Sequence, residues 1–165
     1  MTNQEADTAY NCLKADIITA YSKVGIPQVK NFTNWKIFNS STYLAETHGG
    51  RYLNNYVNAV GATAYGKFDD LTKMPVGSVV VKDGIAVNSK GQTGLSPLFV
   101  MEKMKAGFNT EGGDWRYTMI MPNGAVVGTT KGKGSASVKF CADCHEAGSD
   151  NDFMLFLPEE LRIGG

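Results

Sequence analysis

The chain has 165 residues, a length that fits one domain with a single sizeable core. Its 16 basic and 16 acidic residues cancel, so there is no global field to attract nucleic acid or anionic lipid. No apolar stretch approaches the length of a membrane span, and the polar, acidic first ten residues carry no secretory signal. Composition thus predicts an ordinary globular protein with no nucleic-acid partner and no membrane span.

The N-terminal segment predicts an amphipathic helix. Thr2-Asn3-Gln4-Glu5 has the form of a capping box. Apolar residues then recur at spacings of three and four, which predicts a helix over residues 3–24. Gly25 and Pro27 end it. Cys12 lies beside the apolar stripe, and we interpret it as a small hydrophobic residue of the helix face.

The middle of the chain predicts short strands separated by turns. The candidate strands are residues 35–38, 51–58, 78–83, 98–104, 115–121 and 126–129. The run at 78–83 is β-branched and gives the clearest signal, and Asn123-Gly124 predicts a hairpin turn. The alanine-rich segment 59–68 favours a short helix. We therefore predict an α+β fold with an antiparallel sheet of about five strands, an N-terminal helix and a C-terminal helix.

One motif carries most of the chemical information. Cys141-Ala142-Asp143-Cys144-His145 is a C-x-x-C-H motif, which is typical of covalent c-type haem attachment. Each cysteine can add to a vinyl group on the porphyrin edge, and the histidine can bring an imidazole nitrogen under the iron. We expect this motif on a helix over residues 137–147. The motif predicts haem c bound to Cys141 and Cys144, with His145 as the proximal iron ligand.

Three other interpretations of the motif compete with haem attachment. A zinc site needs about four ligands, and the chain offers only Cys12 and His48 besides the motif. A thioredoxin-like pair usually follows the first strand of a βαβ unit, whereas this motif lies near the end of the chain. A disulfide between the two motif cysteines would leave the adjacent His145 unexplained. Haem is the favoured interpretation.

The motif belongs to an ordered set of sequence blocks. The blocks are Pro75-Val76-Gly77-Ser78-Val79-Val80-Val81-Lys82, Gly113-Asp114-Trp115, Cys141-Ala142-Asp143-Cys144-His145-Glu146-Ala147 and Asn151-Asp152-Phe153. This set resembles the cytochrome P-460 family, whose fold cytochrome c′-beta shares. The resemblance covers about residues 32–158 of a single domain, 1–165, with residues 1–30 as N-terminal helix and linker. It implies a β-rich, haem-binding domain that often forms homodimers.

The resemblance also implies roles for two further residues. In cytochromes P-460 a lysine bonds covalently to the macrocycle, and Lys82 aligns with it. Those enzymes oxidise hydroxylamine, an activity associated with a distal glutamate. Counting back from Gly113-Asp114-Trp115 places Phe99 at that position, as a distal cap. An aromatic residue there is more similar to cytochrome c′-beta, which binds nitric oxide beneath phenylalanines, so it counts against hydroxylamine oxidation.

The sixth coordination position of the iron decides the function. Met154 follows His145 by nine residues, enough chain at about 3.3 Å per residue to reach round a porphyrin. His48 is the only other histidine. We expect a five-coordinate haem that binds or converts nitric oxide or hydroxylamine. The alternative is an electron-transfer cytochrome with a His/Met or His/His haem.

The cellular setting is inferred from the cofactor. Bacteria attach haem to cysteines outside the cytoplasm, so we expect a periplasmic protein whose export signal has been removed. A redox partner protein is expected as well. Whether the protein turns over a substrate stays open at this point.

Overall fold

An antiparallel sheet of eight strands forms the centre of the computed structural model, which describes residues 1–163. The strands are β1 (Lys36–Ile37), β2 (Tyr43–Ala45), β3 (Arg51–Val57), β4 (Val79–Val87), β5 (Thr93–Leu95), β6 (Leu98–Lys103), β7 (Trp115–Ile120) and β8 (Val126–Thr129). Their order is β1-β3-β4-β6-β7-β8, with β2 also paired to β3 and β5 to β4. The α+β class and the antiparallel sheet are confirmed, whereas the prediction of about five strands is wrong.

The extra strands are short, and one depends on a glycine. β2 and β5 have three residues each, too few to show alternation in a sequence. The predicted strand ends at residue 83, but β4 continues through Gly84 to Val87. A Cβ on Gly84 would lie 1.9 Å from the Tyr52 carbonyl oxygen, so only glycine allows β3 this close. β5 pairs with the extension of β4 that follows.

Three α-helices accompany the sheet in the described part of the chain. They are α1 (Asn3–Ser22), α2 (Ala62–Tyr65) and α3 (Lys139–His145). The predicted capping box begins α1, because the Glu5 amide donates to Thr2 Oγ1 at 3.2 Å and the Thr2 amide to Glu5 Oε2 at 2.7 Å. α3 is shorter than predicted because 3₁₀ turns flank it. The 3₁₀ turns span Pro27–Val29, Phe32–Asn34, Glu46–His48, Phe68–Asp70, Thr110–Gly112, Ser135–Val138, Glu146–Asn151 and Glu159–Leu161.

The two faces of the sheet pack in different hydrophobic cores. On β4, Val79 and Val81 pack in the core that α1 covers, whereas Val80 belongs to a second core. This is the alternation expected of a strand. Lys82 therefore lies on the side away from α1, paired in register with Phe99 of β6. No helix within residues 1–163 is both long and apolar enough to cross a membrane.

A polar cluster lies in the core beneath α1. Asp83 is fully buried, and its Oδ2 accepts a hydrogen bond from the Tyr10 hydroxyl at 2.9 Å. The Tyr10 and Tyr56 hydroxyls are also 2.9 Å apart. Asp83 Oδ1 has no partner in the described residues. Burial raises the pKa of the Asp83 carboxyl to about 7, although the Tyr10 hydrogen bond opposes this.

This buried carboxyl should make the protein less stable as the pH rises. Unfolded aspartate has a pKa of about 3.9, so from roughly pH 4 to 7 the native state keeps a proton that the unfolded chain has lost. The contribution of Asp83 to the free energy of unfolding therefore falls from roughly pH 4 to 7. Between pH 5 and 8, the wild type should lose up to roughly 3 kcal/mol of its free energy of unfolding through Asp83, and Asp83→Asn should abolish this loss. Urea unfolding at both pH values measures it.

Asp16→Asn is the matched control, since Asp16 is exposed on α1, the helix that carries Tyr10. It should show the wild-type difference between the two pH values. Equal pH dependence in wild type and Asp83→Asn would contradict the burial argument.

Candidate functional site

A cavity of about 630 Å³ opens on the face of the sheet that α1 leaves free. Its walls come from β4, β6 and β7, from helix α3, from the segment 43–51 and from the segment 155–158. The volume lies in the range of sites for small molecules and cofactors. All three chemically defined side chains of the C-x-x-C-H motif line this cavity.

Helix α3 brings the motif residues to one place. Positions i, i+3 and i+4 of a helix share a face, so Cys141, Cys144 and His145 point into the cavity together. Both thiols are free, Cys141 half-buried and Cys144 exposed. Burial raises the pKa of the Cys141 thiol to about 11. The exposed Phe140 ring also lines the cavity, and nothing in the sequence distinguished it from an ordinary helix residue.

The tautomer and the neutral charge of His145 suit it to bind a metal. Its ring is buried, and Nδ1 lies 2.7 Å from the Phe153 carbonyl oxygen. A carbonyl only accepts, so Nδ1 carries the proton and Nε2 keeps its lone pair. Burial lowers the pKa of His145 to about 4, although the bond to Phe153 opposes the shift. The imidazole is therefore neutral near pH 7, as coordination requires.

Lys82 and Phe99 lie side by side in the cavity wall. They pair across β4 and β6, and both were predicted to lie near the haem. The Lys82 ammonium has no hydrogen bond or ion pair with any residue of 1–163. Burial lowers its pKa to about 8, while Cys144 has the opposite effect. The cavity thus holds an amine whose neutral, nucleophilic form is accessible near neutral pH.

His48 lies in the same cavity, although its position in a loop gave little sequence signal. Its ring packs edge-on against Phe99, with ring centroids 5.0 Å apart. Burial lowers the pKa of His48 to about 3, and the charge of Lys82 adds to the shift. This second imidazole is neutral as well.

Arg51 supplies a positive charge at the cavity. Its Nη1 donates to the His48 carbonyl oxygen at 2.5 Å, and its Nε is buried with no partner in the described part of the chain. An orphaned guanidinium donor is suited to a carboxylate such as a haem propionate. Two other basic residues, Arg116 and Lys139, are engaged elsewhere. Arg116 pairs with Glu102, and Lys139 pairs with Asp143 at 2.6 Å.

Met154 is placed differently from the other candidates. It is buried in the second core with Trp115 and Tyr117, and it is not among the residues that line the cavity. Its role as a sixth ligand stays a prediction.

The residues present fit a covalently bound haem. Two thiols, a neutral imidazole with a free Nε2 and an orphaned guanidinium donor share one cavity. Within residues 1–163, no group of three or more His, Cys, Asp and Glu side chains is placed to hold a metal ion.

The comparison with protein-family models also points to haem. The family model described as Cytochrome P460 matches residues 29–156, which is most of the chain. A comparison with curated proteins gave no match. A cytochrome contains haem, so the family match implies a haem cofactor and its iron. The chain belongs to the cytochrome P460 family.

Proposed function

We propose that the protein is a c-type monohaem cytochrome, with haem attached to Cys141 and Cys144 and its iron bound by His145. The observation that carries this proposal is the 2.7 Å contact of His145 Nδ1 with the Phe153 carbonyl, in the same cavity as both thiols. This contact frees Nε2 for a metal. Family membership supplies the haem, and the geometry supports covalent attachment.

The proposed activity is the binding of small nitrogen ligands, nitric oxide above all. When bound, haem supplies an iron with a further coordination position for such a ligand. The Phe99 ring gives the cavity an apolar wall, which favours uncharged diatomic molecules over anions. Hydroxylamine oxidation needs a proton acceptor. Phe99 cannot act as one, and His48, with a pKa of about 3, is a weak base. Lys82, with a pKa of about 8, is mostly protonated at pH 7. Ligand binding is therefore favoured over that oxidation.

A second candidate function is electron transfer with a His/His haem. His48 favours it, because this imidazole lines the cavity and is neutral. Both properties are those of an axial ligand. Met154 is the other sixth ligand that the sequence proposes, and its packing in the core gives it less support.

We also propose a cellular location and protein partners. Bacterial haem attachment to cysteines takes place outside the cytoplasm, which supports a periplasmic location. A homodimer and a redox partner protein are expected from the resemblance to cytochromes P-460.

Covalent attachment predicts that haem stays with the polypeptide in acidified acetone. Wild-type protein, matured in a host that makes c-type cytochromes, should keep its pigment, and its mass should include one haem. Cys141→Ser/Cys144→Ser should lose the covalent haem because both attachment thiols are gone. Cys12→Ser, at an exposed thiol on α1, should behave as wild type. Extraction of pigment from the wild type would contradict covalent attachment.

Absorption spectra with and without nitric oxide distinguish the two candidate functions. We expect a high-spin spectrum in the isolated protein, a clear change on nitric oxide addition and no effect of His48→Ala before the ligand is added. A low-spin spectrum that becomes high-spin in His48→Ala would instead support the His/His electron carrier. A low-spin haem that does not respond to nitric oxide would exclude the proposed ligand binding.

A substitution at Lys82 tests whether its amine is bonded to the macrocycle. If its amine is bonded to the macrocycle, Lys82→Leu should abolish any red-shifted haem band while both cysteine links persist, as seen by mass spectrometry. The control is Lys139→Leu on helix α3, since that lysine is exposed and paired with Asp143. Identical spectra for wild type and Lys82→Leu would rule out the bond.

A further inference from the structure

A buried ion pair lies behind the proximal histidine. Lys103 Nζ, at the end of β6, is 2.6 Å from Asp152 Oδ1, and the two side chains are 3% and 9% exposed. Lys103 Nζ also donates to the Gly113 carbonyl at 2.7 Å. Asp152 Oδ2 accepts the Met74 amide at 2.8 Å. Both charges are therefore hydrogen-bonded, yet a buried pair rarely adds stability over apolar packing, so its presence invites another explanation.

The backbone at Asp152 supplies the acceptor for His145. The Phe153 carbonyl accepts from His145 Nδ1 at 2.7 Å. The carbonyl just before it, that of Asp152, accepts from Trp115 Nε1 at 2.7 Å. Asp152 and Phe153 have φ angles of 55° and 66°, a left-handed conformation that is unfavourable for residues with a Cβ. Two such residues in succession need contacts with other parts of the chain to keep the turn in this conformation.

Gly113 takes part in the same arrangement from the opposite side. A Cβ at Gly113 would lie 2.2 Å from Cδ2 of Phe153, so the Phe153 ring occupies the space that a side chain would fill. The Gly113 carbonyl accepts from Lys103 at the same time. Lys103 thus joins the loop before β7 to the turn after α3.

We propose that Lys103 and Asp152 are positioning residues for the proximal ligand. Their ion pair fixes the turn at residues 152–153, so that the Phe153 carbonyl stays in hydrogen-bonding position for His145 Nδ1–H. The strength of that bond sets how much electron density the imidazole donates, and thereby the reduction potential of the iron. Neither residue lines the cavity, so each acts through the turn. The inference rests on the proposed function, because it requires haem bound by His145.

The test is the double variant Lys103→Met/Asp152→Asn in the haem-loaded protein. It removes both charges together and leaves no unpaired buried charge, and the asparagine can still accept the Met74 amide. Resonance Raman of the reduced protein gives the iron–histidine stretching frequency, and redox titration gives the potential. We expect the frequency to fall and the potential to rise, since a mobile acceptor makes the imidazole a weaker donor.

Glu102→Gln is the matched control. Glu102 precedes Lys103 on β6, points to the other face and pairs with Arg116. Its removal should change neither the frequency nor the potential. If the double variant does not accumulate, Trp115→Phe removes the donor to the Asp152 carbonyl and should shift both quantities in the same direction.

The outcomes separate this inference from the proposed function. A wild-type iron–histidine band that is unchanged in the double variant would overturn the positioning role alone. An equal shift in Glu102→Gln would overturn it too, because the effect would then be general. Absence of that band from the wild type, from His48→Ala and from Met154→Ala would overturn His145 ligation and, with it, this inference.

Discussion

The hydrogen bond between His145 Nδ1 and the Phe153 carbonyl is the constraint on which the site depends. It fixes the tautomer in a buried ring, where a wrong proton position would point an N–H group at the metal. The acceptor comes from the backbone, which cannot ionise, so it can accept the bond at any pH. Helix α3 and the turn after it are thereby a single functional unit, although a 3₁₀ turn separates them.

The electrostatics of the cavity follow from burial. Two imidazoles, His48 and His145, stay neutral because desolvation lowers the pKa of each. Positive charge remains with Arg51 and, in part, with Lys82. Such a cavity can accept the negative propionates of a haem while presenting neutral, largely apolar surface to a ligand. The same conditions make Lys82 a better nucleophile than an ordinary surface lysine.

Sequence reasoning succeeded where local rules decide the structure. The capping box at Thr2, the alternation along β4 and the convergence of the motif residues on one helix face are all local consequences of spacing. It failed where contacts between residues that are distant in sequence decide the structure. β2 and β5 exist because β3 and β4 offer hydrogen bonds to very short segments. His48 enters the cavity only because its loop folds over Phe99, which no periodicity could reveal.

The position of Gly84 has a consequence for the charge of the site. Lys82 and Asp83 are neighbours that face opposite sides of the sheet, so a slip of one residue in β4 would exchange them. Such a slip would bring Asp83 or Ile85 to the place of Gly84 opposite Leu53, where a Cβ would lie 1.9 Å from the Tyr52 carbonyl oxygen. The absence of a side chain at Gly84 therefore decides whether an ammonium or a carboxylate faces the cavity.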